Sequence, residues 1–138
     1  MSNLLLKALT QYGIKEVPGK ENNPDIIKYF DVLGDGKQWT DEFAWCSAFI
    51  NWACIEAGKE SSGALNARSW LAVGRPVTIP MLGDIVVYWR VSPDSWKGHV
   101  GIYIADEDEI IYTLGGNQGN MVCIKPYYKS SLLGYRRI

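Results

Sequence analysis

The chain is predicted to fold as an α+β domain, with N-terminal helices packed on a C-terminal antiparallel sheet of about five strands. Three observations predict it. In the first half, apolar residues such as Phe43, Ala44, Ala48, Phe49, Trp52 and Ala53 recur largely at three- and four-residue steps. From Asp84 onward that texture gives way to runs rich in β-branched and aromatic residues. Short turns join consecutive runs, which argues for an antiparallel meander.

Leu4, Leu5, Ala8, Leu9 and Tyr12 share one face of a first helix, stopped at Gly13. A loop with Pro18 follows, and Asn23-Pro24 reads as an N-cap with proline at the first helical position. The second helix then covers Asp25 to Leu33 and ends at Gly34. The polar stretch before Thr40 ends where a third, buried helix begins, near Thr40 or Asp41, and this helix runs to Gly58. A short fourth helix is expected over 64–73, closed by Gly74 and Pro76. The strands are expected at 84–90, 99–104, 109–114, 121–125 and 133–138.

The 138 residues suffice for one domain, 1–138, with one core, and no linker or repeat divides it. A hydrophobic share of 47% against 21% charged indicates a globular, soluble chain. The formal charge is −1 and no basic patch is present, which argues against a nucleic-acid surface. Six Trp and eight Tyr exceed what a core of this size needs, so some are available to line a groove for sugar or peptide. The three cysteines cannot make a complete disulfide framework. Cys46 and Cys54 are about 12 Å apart along a helix axis, beyond disulfide reach. Three free thiols are expected, and neither a metal site nor a cofactor, since the spacing fits no zinc motif. The N-terminal stretch is too short and polar for a signal peptide, and no run is long enough to span a membrane. Synthesis in the cytoplasm, no membrane insertion, and delivery by other machinery are the expectations.

Cys46 lies in the first turns of the third helix, where the peptide dipoles favour thiolate. Taken alone, such a cysteine is more often a small core residue. His99, the single histidine, opens a strand after a Trp-Lys-Gly turn. Asn117 follows a Gly-Gly pair at the end of the next strand. In a hairpin the start of one strand lies beside the end of the next, so His99 and Asn117 are expected neighbours. Each residue also has a plain structural reading: an exposed or structural histidine, and a turn-forming asparagine. Together they describe a nucleophile, its base and the group that orients the base.

The local residues carry a resemblance. Asp-Glu-Phe-Ala-Trp-Cys-Ser-Ala-Phe-Ile-Asn-Trp at 41–52 resembles the cysteine motif of CHAP domains, the cysteine- and histidine-dependent amidohydrolase/peptidases. These group with the NlpC-type peptidases in the papain-like superfamily. Gly83-Asp84-Ile85-Val86-Val87, Gly98-His99-Val100-Gly101-Ile102-Tyr103 and Leu114-Gly115-Gly116-Asn117-Gln118 resemble the family's other motifs, in the same order, and the likeness covers roughly 10–138. The resemblance implies a papain-like fold and a peptidoglycan hydrolase. Such an enzyme cuts either the muramoyl–L-alanine amide or a stem or cross-bridge amide. Cys46 would be the nucleophile, His99 the base and Asn117 the orienting residue. One departure stands out: many CHAP domains carry glutamate two residues before the asparagine, where this chain has Gly115. That leaves Asp41, Glu42 and Gln118 as alternatives to Asn117.

Asp41, Trp45, Trp70, Trp96 and Gln118 are the candidate substrate contacts, with core roles about as natural for Trp45 and more so for Trp70. A phage lysin released through a holin, or an antibacterial toxin injected by a secretion apparatus and paired with an immunity protein, both suit a leaderless monomer. The other reading is an idle wall-binding or virion structural module that keeps the fold.

Overall fold

A computed structural model describes residues 2–17, 23–33 and 45–138. Three helices come first: α1 (Asn3–Leu9), α2 (Pro24–Asp31) and α3 (Cys46–Glu56). A 3-10 helix at Ala67–Ala72 leads into the sheet. Its strands are β1 (Arg75–Val77), β2 (Ile85–Trp89), β3 (Gly98–Glu107), β4 (Ile110–Gly115), β5 (Cys123–Tyr128) and β6 (Leu132–Arg137). All pairings are antiparallel, in the order β1-β6-β2-β3-β4-β5. The expected α+β architecture is present. It has one more strand than anticipated, and β6 returns to the far side of β2 instead of extending the meander.

Local chemistry sets the helix starts. Ser2 Oγ accepts from Leu5 N–H at 3.2 Å, capping α1. Asn23 does the same for Asp25 N–H at 2.9 Å, with Pro24 behind it as the sequence suggests. Helix α3 begins at Cys46 itself, with Trp45 as its N-cap residue. The predicted start at Thr40 or Asp41 lies outside the described residues. Cys46 through Asn51, Ala53 and Cys54 are all buried, so α3 is a central helix enclosed on nearly every side. The stretch expected as a fourth helix closes only as the 3-10 turn. Cys46, Cys54 and Cys123 are free thiols. Among the described residues, no helix is long and apolar enough to cross a membrane.

Strand β2 divides the interior. Ile85 and Val87 join the main core with the helices, while Val86 and Tyr88 join a second cluster with Tyr103, Ile111 and Tyr135 on the other face. Asp84, just before β2, accepts from the Arg137 guanidinium at 2.9 and 2.7 Å, and also from Met81 N–H at 2.7 Å. This ion pair, buried on the Asp84 side and partly exposed at Arg137, ties β6 to the start of β2.

Helix and sheet meet at Gly116, just past β4. A Cβ there would lie 2.7 and 2.8 Å from the Trp45 ring and 2.9 Å from Phe49 Cβ. Only glycine allows this approach. Trp45 is fixed on its other side by Tyr29, stacked at 5.9 Å, and by a 2.8 Å bond from its Nε1 to Glu16 Oε1. Gly116→Ala is expected to lower stability by about 1–3 kcal/mol, the usual cost of overpacking. Urea unfolding would measure this, and a loss within error of zero would mean the contact is not tight.

Candidate active site

Cys46 opens α3, where the backbone N–H groups of Val100, Ser47 and Cys46 itself favour the charged form of its thiol. Val100 follows His99 directly in β3. Arg90 connects the thiol and the imidazole: it lines one cleft with Cys46, and its guanidinium stands against His99 Nδ1. His99 is 1% exposed and sits in a stack of rings. Tyr127 lies 5.0 Å from it and Tyr88 4.8 Å beyond Tyr127. Tyr88 also pairs with His99 in the β2–β3 register.

The imidazole is held at both nitrogens. Nε2 stands 2.9 Å from Gln118 Oε1 and 3.2 Å from the Tyr127 hydroxyl. Nδ1 stands 3.4 Å from Arg90 Nη2. The Gln118 amide cannot be turned over without loss. Its Nε2 donates to Thr113 O at 3.1 Å and to Cys123 O at 2.7 Å, so a flip would set its oxygen against two carbonyls. The oxygen must face the ring, and an oxygen can only accept. His99 Nε2 therefore carries the proton, and Nδ1 presents a lone pair. Its neighbour Arg90 is a donor and suits that lone pair.

The loop that carries Gln118 is braced from outside. Val122 N–H donates to Ile14 O and Gly13 N–H to Val122 O, both at 2.8 Å, and Glu16 N–H donates to Asn120 O at 2.9 Å. The segment that receives the Trp45 indole thus also backs the Gln118 loop.

Electrostatics leaves both reactive groups neutral. Burial pushes the Cys46 thiol up, and this outweighs the Val100 N–H, the Arg90 charge and the helix amides, which all pull it down. The thiolate expected from the helix start is thus not the resting form. Burial pushes His99 down to about 4; the Gln118 bond opposes this and the Arg90 charge adds to it. The Tyr127 hydroxyl is pushed up to about 12, again chiefly by burial. With both groups neutral at rest, moving the thiol proton to an imidazole would create an ion pair, so that transfer has to be coupled to attack on a carbonyl.

Cys46 opens on a cleft of about 240 Å³, whose walls include Leu65, Asn66 and Ala67 on one side and Arg90, Trp96, Lys97 and Gly98 on the other. Both walls are anchored. Ser47 Oγ donates to Ala64 O at 2.6 Å and accepts from Trp70 Nε1 at 2.9 Å, and Asn51 Nδ2 donates to Ala64 O at 3.0 Å. Arg68 clamps the opposite loop by donating to Lys97 O, Pro93 O and Ser92 O at 3.0, 2.7 and 3.0 Å. A second cavity of similar size, near Asp84 and Arg137, lies away from the thiol.

The sequence-predicted residues divide accordingly. Cys46 and His99 share Arg90 as a neighbour, on the cleft wall for the first and at Nδ1 for the second. Asn117 does not reach the ring: the carboxamide at the imidazole belongs to Gln118, one residue on, and Asn117 holds a left-handed turn with φ of 58°. Gln118 is not a cleft residue either, being 2% exposed. Trp45 and Trp70 are fully buried, the first under Gly116 and the second against Ser47, so neither can touch a ligand in the cleft. Trp96, 74% exposed, stands on the cleft wall as expected. Asp41 lies outside the described residues. Arg90 and Tyr127 were not anticipated. Arg90 ends the second-half run beginning at Asp84, and Tyr127 falls just past where the fourth strand was expected to stop.

Because His99 is the single histidine, ring NMR reads it without ambiguity. Its titration midpoint is expected near 4, and Arg90→Gln should raise it, since a facing cation is removed. Between 6.5 and about 4 the unfolded chain binds a proton that the folded chain refuses. Stability should therefore fall as pH drops through that window, by up to about 3 kcal/mol from this group. Urea unfolding of the native protein and of His99→Gln at pH 7 and pH 4 isolates the contribution. Equal pH dependence in the two would contradict the assignment.

Comparison with known proteins adds three findings. The CHAP domain model matches residues 37–117, more than half of the chain. A solved structure from Staphylococcus aureus subsp. aureus Mu50, described as similar to lipoprotein, NLP/P60 family, superposes with a TM-score of 0.58 at 19% identity. That likeness covers 99% of this chain and 40% of the staphylococcal one, so the chain spans less than half of that protein's length, and at this identity it speaks for the fold. No match was found among curated proteins.

Proposed function

The chain belongs to the CHAP domain family, and on that footing we propose that it is a peptidoglycan hydrolase cutting a wall amide bond by a thiol mechanism. The observation that supports this reading is the position of Arg90, which lines an open cleft with Cys46 and stands against His99 Nδ1.

In this mechanism Cys46 Sγ attacks the carbonyl carbon of the scissile amide, and its proton passes to His99 Nδ1. Arg90 must swing off Nδ1 as the thiol takes its place. The oxygen that gains charge faces the backbone N–H groups at the start of α3, which need no reorganisation to receive it. The imidazolium then gives its proton to the leaving amine, which departs and leaves a thioester. His99 next draws a proton from water, the hydroxide attacks the thioester, and the freed thiolate recovers the proton. The bond is either the muramoyl–L-alanine amide or one within the stem or cross-bridge. Trp96 offers a flat apolar face for a sugar ring or peptide at the cleft. A phage lysin with a holin partner and an injected effector with an immunity protein remain the two settings that the chain suits. Both imply delivery from the cytoplasm to the wall, and neither requires a cofactor.

Digestion of isolated peptidoglycan followed by mass spectrometry of the soluble fragments tests the proposal. The native protein should release muropeptides with one new amine terminus, which names the bond. Cys46→Ala should lower release by at least about a thousandfold, while Cys54→Ala, in the core behind the site, should keep most of it. The acid limb of kcat/KM should lie near pH 4, where His99 protonates, and not near 6.5. Walls of several cross-link types left intact by native protein would sink the reading and leave a binding module.

A further inference from the structure

We propose that Gln118, and not Asn117, is the positioning residue for the catalytic imidazole, and that it works from the space a side chain at position 115 would occupy. The inference rests on His99 being the base, but the ring state it specifies can be measured without any reaction.

Three observations lead there. Gln118 Oε1 is 2.9 Å from His99 Nε2, and its amide nitrogen is fixed by two main-chain carbonyls, so the acceptor cannot rotate away. Gln118 is 2% exposed, in a loop whose backbone is held by the segment after α1. The third observation is at Gly115. A Cβ built there would lie 2.5 Å from Gln118 Oε1, 3.0 Å from Gln118 Cδ and 3.4 Å from His99 Nε2. Position 115 therefore points at the same ring nitrogen, and its backbone is not in the left-handed region that would demand glycine. The glycine is required because the Gln118 amide already fills the place. Two positions of one loop compete for one function, and this chain fills it from the later one.

The choice has a chemical consequence. A carboxylate reaching the ring from position 115 would stabilise the imidazolium. The neutral Gln118 amide fixes the ring direction and the tautomer without adding a charge. It keeps Nδ1 as the bare nitrogen on the side of Arg90, and leaves the imidazole neutral until the thiol proton arrives.

Long-range proton–nitrogen spectra of protein labelled at its single histidine report the tautomer directly at pH 7. The native ring should be protonated at Nε2 by at least about tenfold over Nδ1. Asn117→Gly, which keeps the left-handed turn, should leave this unchanged. Gln118→Met should mix the tautomers and lower kcat by about 10²-fold or more, with KM little altered. Gly115→Glu combined with Gln118→Ala should restore the Nε2–H form, raise the ring's titration midpoint above the native one, and recover at least a tenth of native kcat. If Gln118→Met fails to fold, Gly115→Ala takes its place, since its methyl displaces Oε1 from the ring; a native tautomer ratio in that variant would overturn the proposal. So would a tautomer that changes in Asn117→Gly and not in Gln118→Met, or a double variant that restores nothing. If native protein shows the stated tautomer pattern and no hydrolysis, the positioning role stands as a feature of the ring and the hydrolase reading falls.

Discussion

Where helix α3 meets the end of β4 there is no room for a side chain, and the backbone of Gly116 rests on the Trp45 indole and on Phe49. That contact sets the distance between two elements carrying different parts of the site. Cys46 is the next residue after Trp45, and Gln118 is two residues past Gly116. Moving helix and strand apart by the thickness of a methyl group would shift Cys46 relative to the Gln118 loop by a similar amount. Glu16 receives the indole while its own N–H holds Asn120, so one short segment fixes both sides of the contact.

The charge state of the site follows from the same close packing. A helix start stabilises an anion by roughly 0.3–1 kcal/mol, up to about 2 in favourable cases. Removing an ion from water inside a packed domain costs several times that. Burial therefore prevails over the dipole at Cys46, and over the hydrogen bond that His99 donates to Gln118. Arg90 adds a further bias. Its positive charge favours thiolate but disfavours imidazolium, so it opposes the second half of a resting ion pair. Both groups rest neutral, with the Arg90 guanidinium on the cleft wall as their shared cationic neighbour.

Much of this was legible in the residues. Helical spacing, the Asn23-Pro24 cap and the β-branched runs locate the helices and five of the six strands, because burial there enforces a period that composition displays. Strand β1 is only three residues long, includes Pro76 and exists through pairing with β6, so nothing local marks it. The near miss at Asn117 has a similar origin. Hairpin geometry places the end of β4 beside His99 correctly, but the left-handed turn at 117 directs the following residue inward, and that turn is a property of the folded loop. Gly115 was the visible clue, a missing side chain whose purpose needs coordinates to read. At Gly101 the close approach is within the sheet, since a Cβ there would strike Thr113 and Leu114 of the neighbouring strand. Tryptophan content could not tell wall from core: Trp45 and Trp70 each bond their indole nitrogen to an interior partner, while Trp96 does not need one at the surface.

The position of β6 governs the order in which the domain can assemble. Strands β2 to β5 find partners within a few tens of residues, so that half of the sheet, which contains His99 and carries the Gln118 loop, can form by closing short loops. Strand β1 has to wait for β6, some sixty residues later by the pairing of Arg75 with Arg137, and until then β2 presents a bare edge. Such an edge invites pairing with another chain. The Asp84–Arg137 ion pair closes this late seam, on the opposite side of β2 from the histidine strand. Errors of folding would therefore begin at a seam remote from His99, in molecules whose β2–β5 half is already formed.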